Sequence, residues 1–187
     1  MTTHAAPMRV IRCDGLVLEP QTAAHAHDMF AVLSDPAIYQ YENQPPPSPE
    51  WLLARFKRLE SRRSSDGRDE WLNWVLRLPS SQLIGYVQAT VHPDGRAAIA
   101  YALASAHWGR GLARRAVEAM ITELAAHHGV RTLYAVLRRE NQRSLGLLQR
   151  LGFESATPEA LGRHPVAPDE LLMERVLKPP PGPSRAA

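Results

Sequence analysis

Cysteine is nearly absent from the sequence, which contains Cys13 and no other among 187 residues. One thiol excludes a disulfide within the chain and a metal site built from several cysteines. Long apolar runs are also missing, since none approaches the roughly 20 residues that span a bilayer. Residues 1–7 (MTTHAAP) lack the charged and then apolar segments of a secretory signal. We therefore expect a cytoplasmic protein without a membrane partner.

The patterns of metal, dinucleotide and nucleic-acid binding are missing as well. Histidine occurs eight times, but acidic or cysteine side chains do not recur beside it at the spacing of metal ligands, so no metal is expected. The dinucleotide pattern Gly-x-Gly-x-x-Gly fails at its third glycine, where Arg114 stands. Arginines gather at one loop rather than along a face, and no RNA-binding module is recognisable. No nucleic-acid partner is therefore expected.

What the sequence does contain is typical of one soluble domain. Hydrophobic residues make up 44% and charged residues 22%, with a formal net charge of +3. We expect flexible tails at residues 1–9 and at the proline-rich residues 178–187, because proline removes backbone donors. The domain between them, 10–177, is long enough to bury a core of its own.

Hydrophobic patterning predicts an α/β (α+β) fold with one mixed sheet and helices on both faces. Three strands, 70–78, 83–91 and 97–103, are joined by short turns and should form an antiparallel meander. The strand–helix–strand segment over 97–137 predicts a crossover between parallel strands. The remaining predicted elements are a strand at 16–20, helices starting at Thr22 and at Ser48, a helix over 141–151 and a strand over 171–177.

The most informative stretch is residues 101–116, where an apolar strand ends in a glycine-bearing loop that opens into a helix. Gly109 and Gly111 have no Cβ, so the backbone can turn sharply there and lie close to a ligand. The helix from about Leu112 directs free N–H groups and a partial positive charge at that place. Such an arrangement suits a phosphate group. The arginines in or near it are Arg110, Arg114, Arg115 and Arg139.

Two blocks of sequence point to a family. The first is Ile99-Ala-Tyr-Ala-Leu103 followed by Trp108-Gly-Arg-Gly-Leu-Ala113, and the second is Asn141-Gln-Arg-Ser144 followed by Leu151-Gly-Phe153. In this order and spacing they resemble the GNAT superfamily of N-acetyltransferases. The specific likeness is to the branch that acetylates the terminal alanine of ribosomal proteins, in which tryptophan replaces the usual glutamine or arginine before the glycine. The resemblance covers about residues 16–177.

This resemblance implies a particular fold and cofactor. The fold is a central, mostly antiparallel, twisted sheet with a splayed parallel pair, and the cofactor is acetyl-CoA, released as CoA, without a metal. Loop amides from Gly109 to Arg114 suit the pyrophosphate, and backbone groups around Leu103 and Ala104 suit the pantetheine. Asn141 either orients the pantetheine or caps its own helix. The cofactor-binding residues implied are Leu103, Ala104, Trp108, Gly109, Arg110, Gly111, Leu112, Ala113, Arg114, Asn141 and Ser144.

The reaction implied is direct transfer of an acetyl group to a primary amine. Attack needs a neutral amine, so a base or a water chain must take a proton. Glu70 and Glu174 are the candidates for the base by position, and Tyr101, a further candidate catalytic residue, lies on the strand that enters the site. Leu148 stands where many members of the superfamily place an acidic tyrosine, and the resemblance implies that Ser144 hydrogen-bonds the departing thiolate instead.

Three alternatives stay open. The protein is either an N-acetyltransferase or a non-catalytic acyl-CoA-binding and sensing module on the same fold, because the tyrosine and an unambiguous base are missing. The acceptor is either a protein N-terminal amine or a small-molecule amine. Its groove is expected between the first two helices, including residues 39–42, and the loop 158–169. A homodimer is compatible with the sequence, which neither requires nor excludes it.

Overall fold

A mixed sheet of eight strands is the centre of the structure, a computed structural model that describes residues 8–41 and 43–177. The strands are β1 Ile11–Cys13, β2 Leu16–Pro20, β3 Glu70–Arg77, β4 Leu83–Val91, β5 Arg96–Leu103, β6 Thr132–Arg138, β7 Glu154–Ser155 and β8 Glu170–Val176. They lie in the order β1-β2-β3-β4-β5-β6-β8-β7. The predicted meander is confirmed, because β3, β4 and β5 pair antiparallel, and β5 with β6 is the parallel pair.

Helices cover both faces of this sheet, as predicted. They are α1 Ala26–Leu33, α2 Pro49–Leu59, α3 Leu112–His127, α4 Gln142–Arg150 and α5 Pro158–Arg163. The larger core packs α3 and α4 against one face, around the fully buried Trp74 and Met120. A smaller core packs α1 and α2 against the other face, around Met29 and Val75. Within the described part of the chain, no helix combines the length and apolar character that a membrane crossing requires.

Local capping explains where the first helices begin. The Trp51 N–H donates to the Ser48 hydroxyl at 3.2 Å, and proline occupies the first position of α2, where a missing N–H has no cost. The helix predicted from Thr22 begins instead as a short 3₁₀ turn, Ala23–His25, that leads into α1. The Thr22 N–H donates to the His25 imidazole at 3.0 Å and stabilises that turn.

The parallel pair opens into a gap. Cα pairing between β5 and β6 runs from Arg96 with Thr132 to Ala98 with Tyr134 and then stops. β5 nevertheless continues to Leu103, and β6 continues beyond Tyr134 as well. The two strands therefore diverge, which confirms the expected splay. The open end of the gap lies beside the loop that leads into α3.

The structure adds several elements to the prediction. β1, β7 and α5 are missed by the sequence analysis, because elements of three, two and six residues are too short to carry a clear period. Packing also begins before residue 10, since Met8 belongs to the core and the Arg9 guanidinium bonds the buried Glu123 at 2.8 and 3.0 Å. The rest of the predicted tails, residues 1–7 and 178–187, lies outside the described residues.

Candidate active site

The loop between β5 and α3 has the geometry of an anion-binding site. Gly109 and Gly111 both have a φ of +72°, the left-handed region that glycine adopts without strain. A Cβ at either position would meet no atom within 4 Å, so the space in front of the loop is open. The Arg115 N–H donates to the Gly111 carbonyl at 3.2 Å, so the N–H groups of residues 112–114 precede the helical ladder. These groups fit a phosphate group.

The arginines around this loop are not equivalent. Arg115 is held by the turn between β1 and β2, since its Nη1 donates to the carbonyl and the carboxylate of Asp14 at 2.9 and 3.1 Å. Arg139 donates its Nε–H to a backbone carbonyl in the loop before β8 at 2.9 Å. Arg110 and Arg114 are exposed, and neither has an ion pair with a described residue. These two are therefore the arginines best placed to meet phosphate groups.

Trp108 lies at the open end of the gap. Its indole N–H donates to the Leu103 carbonyl at 2.8 Å, and the Arg143 guanidinium lies 3.7 Å from its ring centroid. The Ala104 N–H donates to a β4 carbonyl at 2.9 Å, so it is engaged within the sheet rather than offered to the gap. Alternation along the strand turns the backbone polar groups of Leu103 and Tyr101 to the gap side. Sequence reasoning missed Arg143, whose contact with Trp108 joins residues of two separate motifs.

Tyr101 and Ser144 meet beside the gap. The Tyr101 OH and the Ser144 Oγ are 2.8 Å apart. The Ser144 N–H donates to Asn141 Oδ1 at 3.1 Å, so Asn141 caps α4, one of its two expected roles. These residues line the gap cavity, which has a volume of about 130 Å³. Its lining side chains include Tyr39, Tyr41, Tyr86, Tyr101, Val136, Asn141, Ser144 and Leu148.

Glu70 is not brought to this cavity. The register pairs Glu70 with Val91 and Val91 with Ala97, near the start of β5. Tyr101 lies four residues further along β5, about 13 Å away at the usual rise of a strand. The Glu70 carboxylate lies instead 3.4 Å from His128 Nδ1. The position expected for Glu70 is thus corrected, because antiparallel pairing puts the first residue of β3 at the closed end of the gap.

A cluster of titratable side chains, the Asp69 cluster, lies at that closed end. His92 joins the Asp69 carboxylate, 2.9 Å from its Nδ1, to the Tyr134 hydroxyl, 2.7 Å from its Nε2. His164 stacks on Tyr134 with ring centroids 4.4 Å apart and accepts a hydrogen bond from Arg96 at 2.6 Å. Burial raises the pKa of Tyr134, and burial followed by the Arg96 charge lowers the pKa of His164. Sequence reasoning missed this cluster because separate segments supply it.

Glu174, the other carboxylate considered as a base, lies next to the Asp69 cluster. It is the cross-strand partner of Tyr134 in the ladder between β6 and β8, and it also pairs with Glu154 of β7. Cross-strand partners share one face of a sheet, so Glu174 adjoins Tyr134 rather than the gap cavity. Within residues 8–41 and 43–177, no three histidine, cysteine or acidic side chains are grouped as metal ligands.

Two grooves continue from the gap cavity on the face of the sheet that α1 and α2 cover. The inner groove, about 300 Å³, shares Tyr39 and Tyr86 with the gap cavity. The outer groove, about 470 Å³, opens from it between α2 and β3. The side expected to bind the acceptor is therefore concave, but the loop 158–169 supplies none of its lining residues. Glu42, also expected there, lies outside the described residues.

Hydrogen bonds hold the junction between the gap cavity and the inner groove. The Tyr39 O–H donates to the Leu33 carbonyl at 2.7 Å, and burial, with smaller contributions from Tyr86 and Asp35, raises the pKa of Tyr39 to about 12. The Asp35 carboxylate accepts the Ser105 N–H at 2.6 Å, which lowers the pKa of Asp35. These bonds tie the segment after α1 to the loop before α3, so the two sides of the site are held together.

Known proteins resemble this chain over most of its length. The acetyltransferase (GNAT) domain family matches residues 15–154. RimL, a ribosomal-protein alpha-N-acetyltransferase solved with coenzyme A, superposes with a TM-score of 0.76 at 16% identity, over 90% of this chain and 98% of its own. A ribosomal-protein-S5-alanine acetyltransferase from Vibrio fischeri gives 0.74 at 17% identity, over 90% and 97%. A GNAT-family acetyltransferase from Bordetella pertussis gives 0.70 at 27% identity, over 90% and 100%.

Proposed function

The chain belongs to the GNAT acetyltransferase family and is an acetyl-CoA-dependent acyltransferase, and we propose that it transfers the acetyl group directly to a primary amine. The observation that carries the proposal is the gap between β5 and β6. The gap opens to the glycine loop on one side and to the two grooves on the other side. Such a passage lets a cofactor and an acceptor approach one point from opposite sides. The acceptor is a protein N-terminal amine or a small-molecule amine.

The cofactor side is proposed to use backbone groups first. The N–H groups of residues 112–114 and the positive end of α3 face the open space in front of Gly109 and Gly111, where a pyrophosphate fits. Arg110 and Arg114 add charge-assisted hydrogen bonds to phosphate oxygens. Backbone groups at the edge of β5 that faces the gap bind the amides of the pantetheine arm, as a neighbouring strand would. Acetyl-CoA, when bound, supplies the activated acetyl thioester.

Ser144 is proposed to stabilise the leaving sulfur. A tyrosine acid is not available at position 148, because leucine carries no proton to donate. The Tyr101 phenol oxygen lies 2.8 Å from Ser144 Oγ. When the phenol donates to this oxygen, the hydroxyl proton of the serine is available for another acceptor. Ser144 then donates its hydrogen bond to the thiolate, and Tyr101 acts as a positioning residue.

The Asp69 cluster is proposed to accept the proton of the amine. A carboxylate only accepts, so Asp69 fixes the proton of His92 on Nδ1 and leaves Nε2 to accept from Tyr134. Tyr134 pairs with Ala98, about 10 Å before Tyr101 along β5, so water carries the proton of the amine from the gap cavity to the Tyr134 oxygen. The phenol proton then moves to His92 Nε2. Asp69 stabilises the resulting imidazolium, as the carboxylate of a catalytic triad does.

The direct test is a pair of measurements on the purified protein. Calorimetric titration with acetyl-CoA, beside CoA and ATP, measures recognition of the cofactor, and release of CoA thiol with a panel of primary amines measures transfer. Saturable acetyl-CoA binding with amine-dependent CoA release is the expected result. Binding without release across peptides and small amines would instead favour the acyl-CoA-sensing module.

A further inference from the structure

The inner and outer grooves form one channel that runs over one face of the sheet, from strand to strand. Asn73, Gln88 and Ala100 are partners in one row across β3, β4 and β5, and all three line the channel. Ala100 also lines the gap cavity. Neighbouring strands are about 4.8 Å apart, so the Asn73 end lies about 10 Å from the gap. A ligand that reaches both ends must therefore extend about that far from its reacting amine.

Two arginine–tryptophan pairs wall the outer groove, and one of them, Arg55 with Trp51, also lines the inner groove. The Arg55 guanidinium lies 5.6 Å from the Trp51 ring centroid, and the Arg58 guanidinium lies 5.5 Å from that of Trp71. All four side chains line the outer groove. Arg55 and Arg58 stand three residues apart on α2, on one helix face. Neither arginine forms an ion pair with a residue that the structure describes. Two cations thus face one groove.

The polar groups along the channel are weighted towards donors. Across the described residues, no aspartate or glutamate lines either groove. Gln21 lines the inner groove, is 7% exposed, and its Nε2 has no hydrogen-bond partner in the described structure. The amide nitrogen itself is inaccessible, so it is not among the groups that meet a ligand in the groove. The channel therefore presents two cations without a matching protein anion.

We propose that the acetyl acceptor carries an anionic group, a carboxylate or a phosphate, about 10 Å from its amine. Arg55 and Arg58 bind this group through charge-assisted hydrogen bonds, and the amine reaches the gap cavity. The inference rests on the proposed function, because it assigns the chemistry of the acceptor for that reaction. A free small molecule and the acidic start of a peptide share this chemistry.

Matched acceptors test the proposal and separate these two sources. The first pair is 8-aminooctanoate and 8-aminooctanamide, which differ only in the negative charge. The second pair is the tripeptide amides Ala-Ala-Asp and Ala-Ala-Asn, whose third side chain lies about 10 Å from the terminal amine in an extended chain. The expected result is a preference of about tenfold in kcat/KM for the charged member of at least one pair. The pair with the larger preference identifies the source.

Variants on one helix make the test specific. Arg55→Gln and Arg58→Gln should each bring the ratio of charged to neutral acceptor towards one, mainly through KM. Lys57→Gln removes the same charge from α2 at an exposed position outside both grooves, so the ratio should not change. Raised salt should reduce the wild-type preference, because exposed charges are screened. Equal rates for both members of both pairs, or an equal loss in Lys57→Gln, would overturn the proposal.

A binding measurement keeps the proposal testable if no amine is acetylated. Trp51 and Trp71 line the channel, so tryptophan fluorescence reports its occupation. Titration with 8-acetamidooctanoate should give saturable quenching in the wild type, with at least about tenfold weaker binding in Arg55→Gln. Arginine-dependent binding without turnover would overturn the proposed reaction and support the anionic ligand. Equal binding of 8-acetamidooctanamide would overturn the anionic ligand alone.

Discussion

The proposed cofactor side and the proposed acceptor side of the gap are built from different groups. On the cofactor side, one continuous segment from β5 into α3 supplies backbone N–H groups and two glycines with positive φ. On the acceptor side, side chains from β3, β4, β5 and α2 meet across a groove. A site made of contiguous backbone leaves a compact motif in the sequence. A site made of scattered side chains leaves none, because its members become neighbours only through the fold.

The cofactor side should respond most strongly to a change at Gly111. Gly111→Val forces a branched residue into a backbone with a φ of +72° and fills the open space in front of α3. We expect acetyl-CoA affinity to fall by at least about 100-fold, measured by calorimetry. Gly67→Val is the matched control, since Gly67 has the same φ and the same open surroundings in the loop before β3. Equal affinity in Gly111→Val and the wild type would refute the phosphate assignment.

A change at the point where the two sides meet should affect the reaction rather than binding. Ser144→Ala removes the proposed donor to the thiolate, and we expect kcat to fall by about 100-fold while acetyl-CoA affinity stays within about twofold. Tyr101→Phe should cost less, about tenfold, because it only loosens Ser144. Ser34→Ala removes a serine at the end of α1 and serves as control. If kcat is unaltered in Ser144→Ala, Ser144 does not stabilise the thiolate.

Variants of the Asp69 cluster test whether its side chains act together as one proton relay or act separately. His92→Gln and Tyr134→Phe should each lower kcat by about tenfold or more, with acetyl-CoA affinity unchanged. The double variant should be no slower than the worse single variant, because two members of one relay fail together. Steady-state rates of the three variants with one amine decide the matter. Multiplicative losses would mean that the two side chains act separately.

The smallest expected effect concerns stability and pH. Burial, and then Arg96, lower the pKa of His164, with lesser contributions from His92 and Arg163 that Asp94 opposes. The folded protein therefore binds this proton less readily than the unfolded chain, so stability falls as the pH drops below about 6.5. His164→Gln should flatten this part of the urea-midpoint profile between pH 8 and pH 5. His27→Gln, at an exposed position, should leave the wild-type slope.

Much of the fold could be predicted because its elements carry local signals. Ser48 and Pro49 mark the start of α2. The strand pattern along 83–91 predicts β4 with the same first and last residues that the structure shows. β7 and α5 carry no comparable signal at two and six residues, and tertiary contacts decide them. The 3₁₀ turn after Thr22 depends on a hydrogen bond to His25, which no period predicts.

The candidate site divides in the same way. Tyr101, Asn141 and Ser144 could be placed together from two motifs, and the structure brings them together. Glu70 could not be placed, because its distance from Tyr101 depends on the register of two strand pairs. The Ala104 N–H is expected at the gap but bonds to β4 instead. The reason is that the backbone N–H groups of successive residues in a strand point to opposite edges of that strand.

By itself, the sequence determined the family, the order of the main elements and the glycine loop before α3, because each depends on residues close together in the chain. Only the tertiary structure decided which titratable groups share the closed end of the gap and which side chains wall the acceptor channel. The physical reason is that pairing register and helix packing set these distances. Asp69 and Tyr134, or Trp51 and Trp71, become neighbours through strands and helices whose separation the sequence does not express.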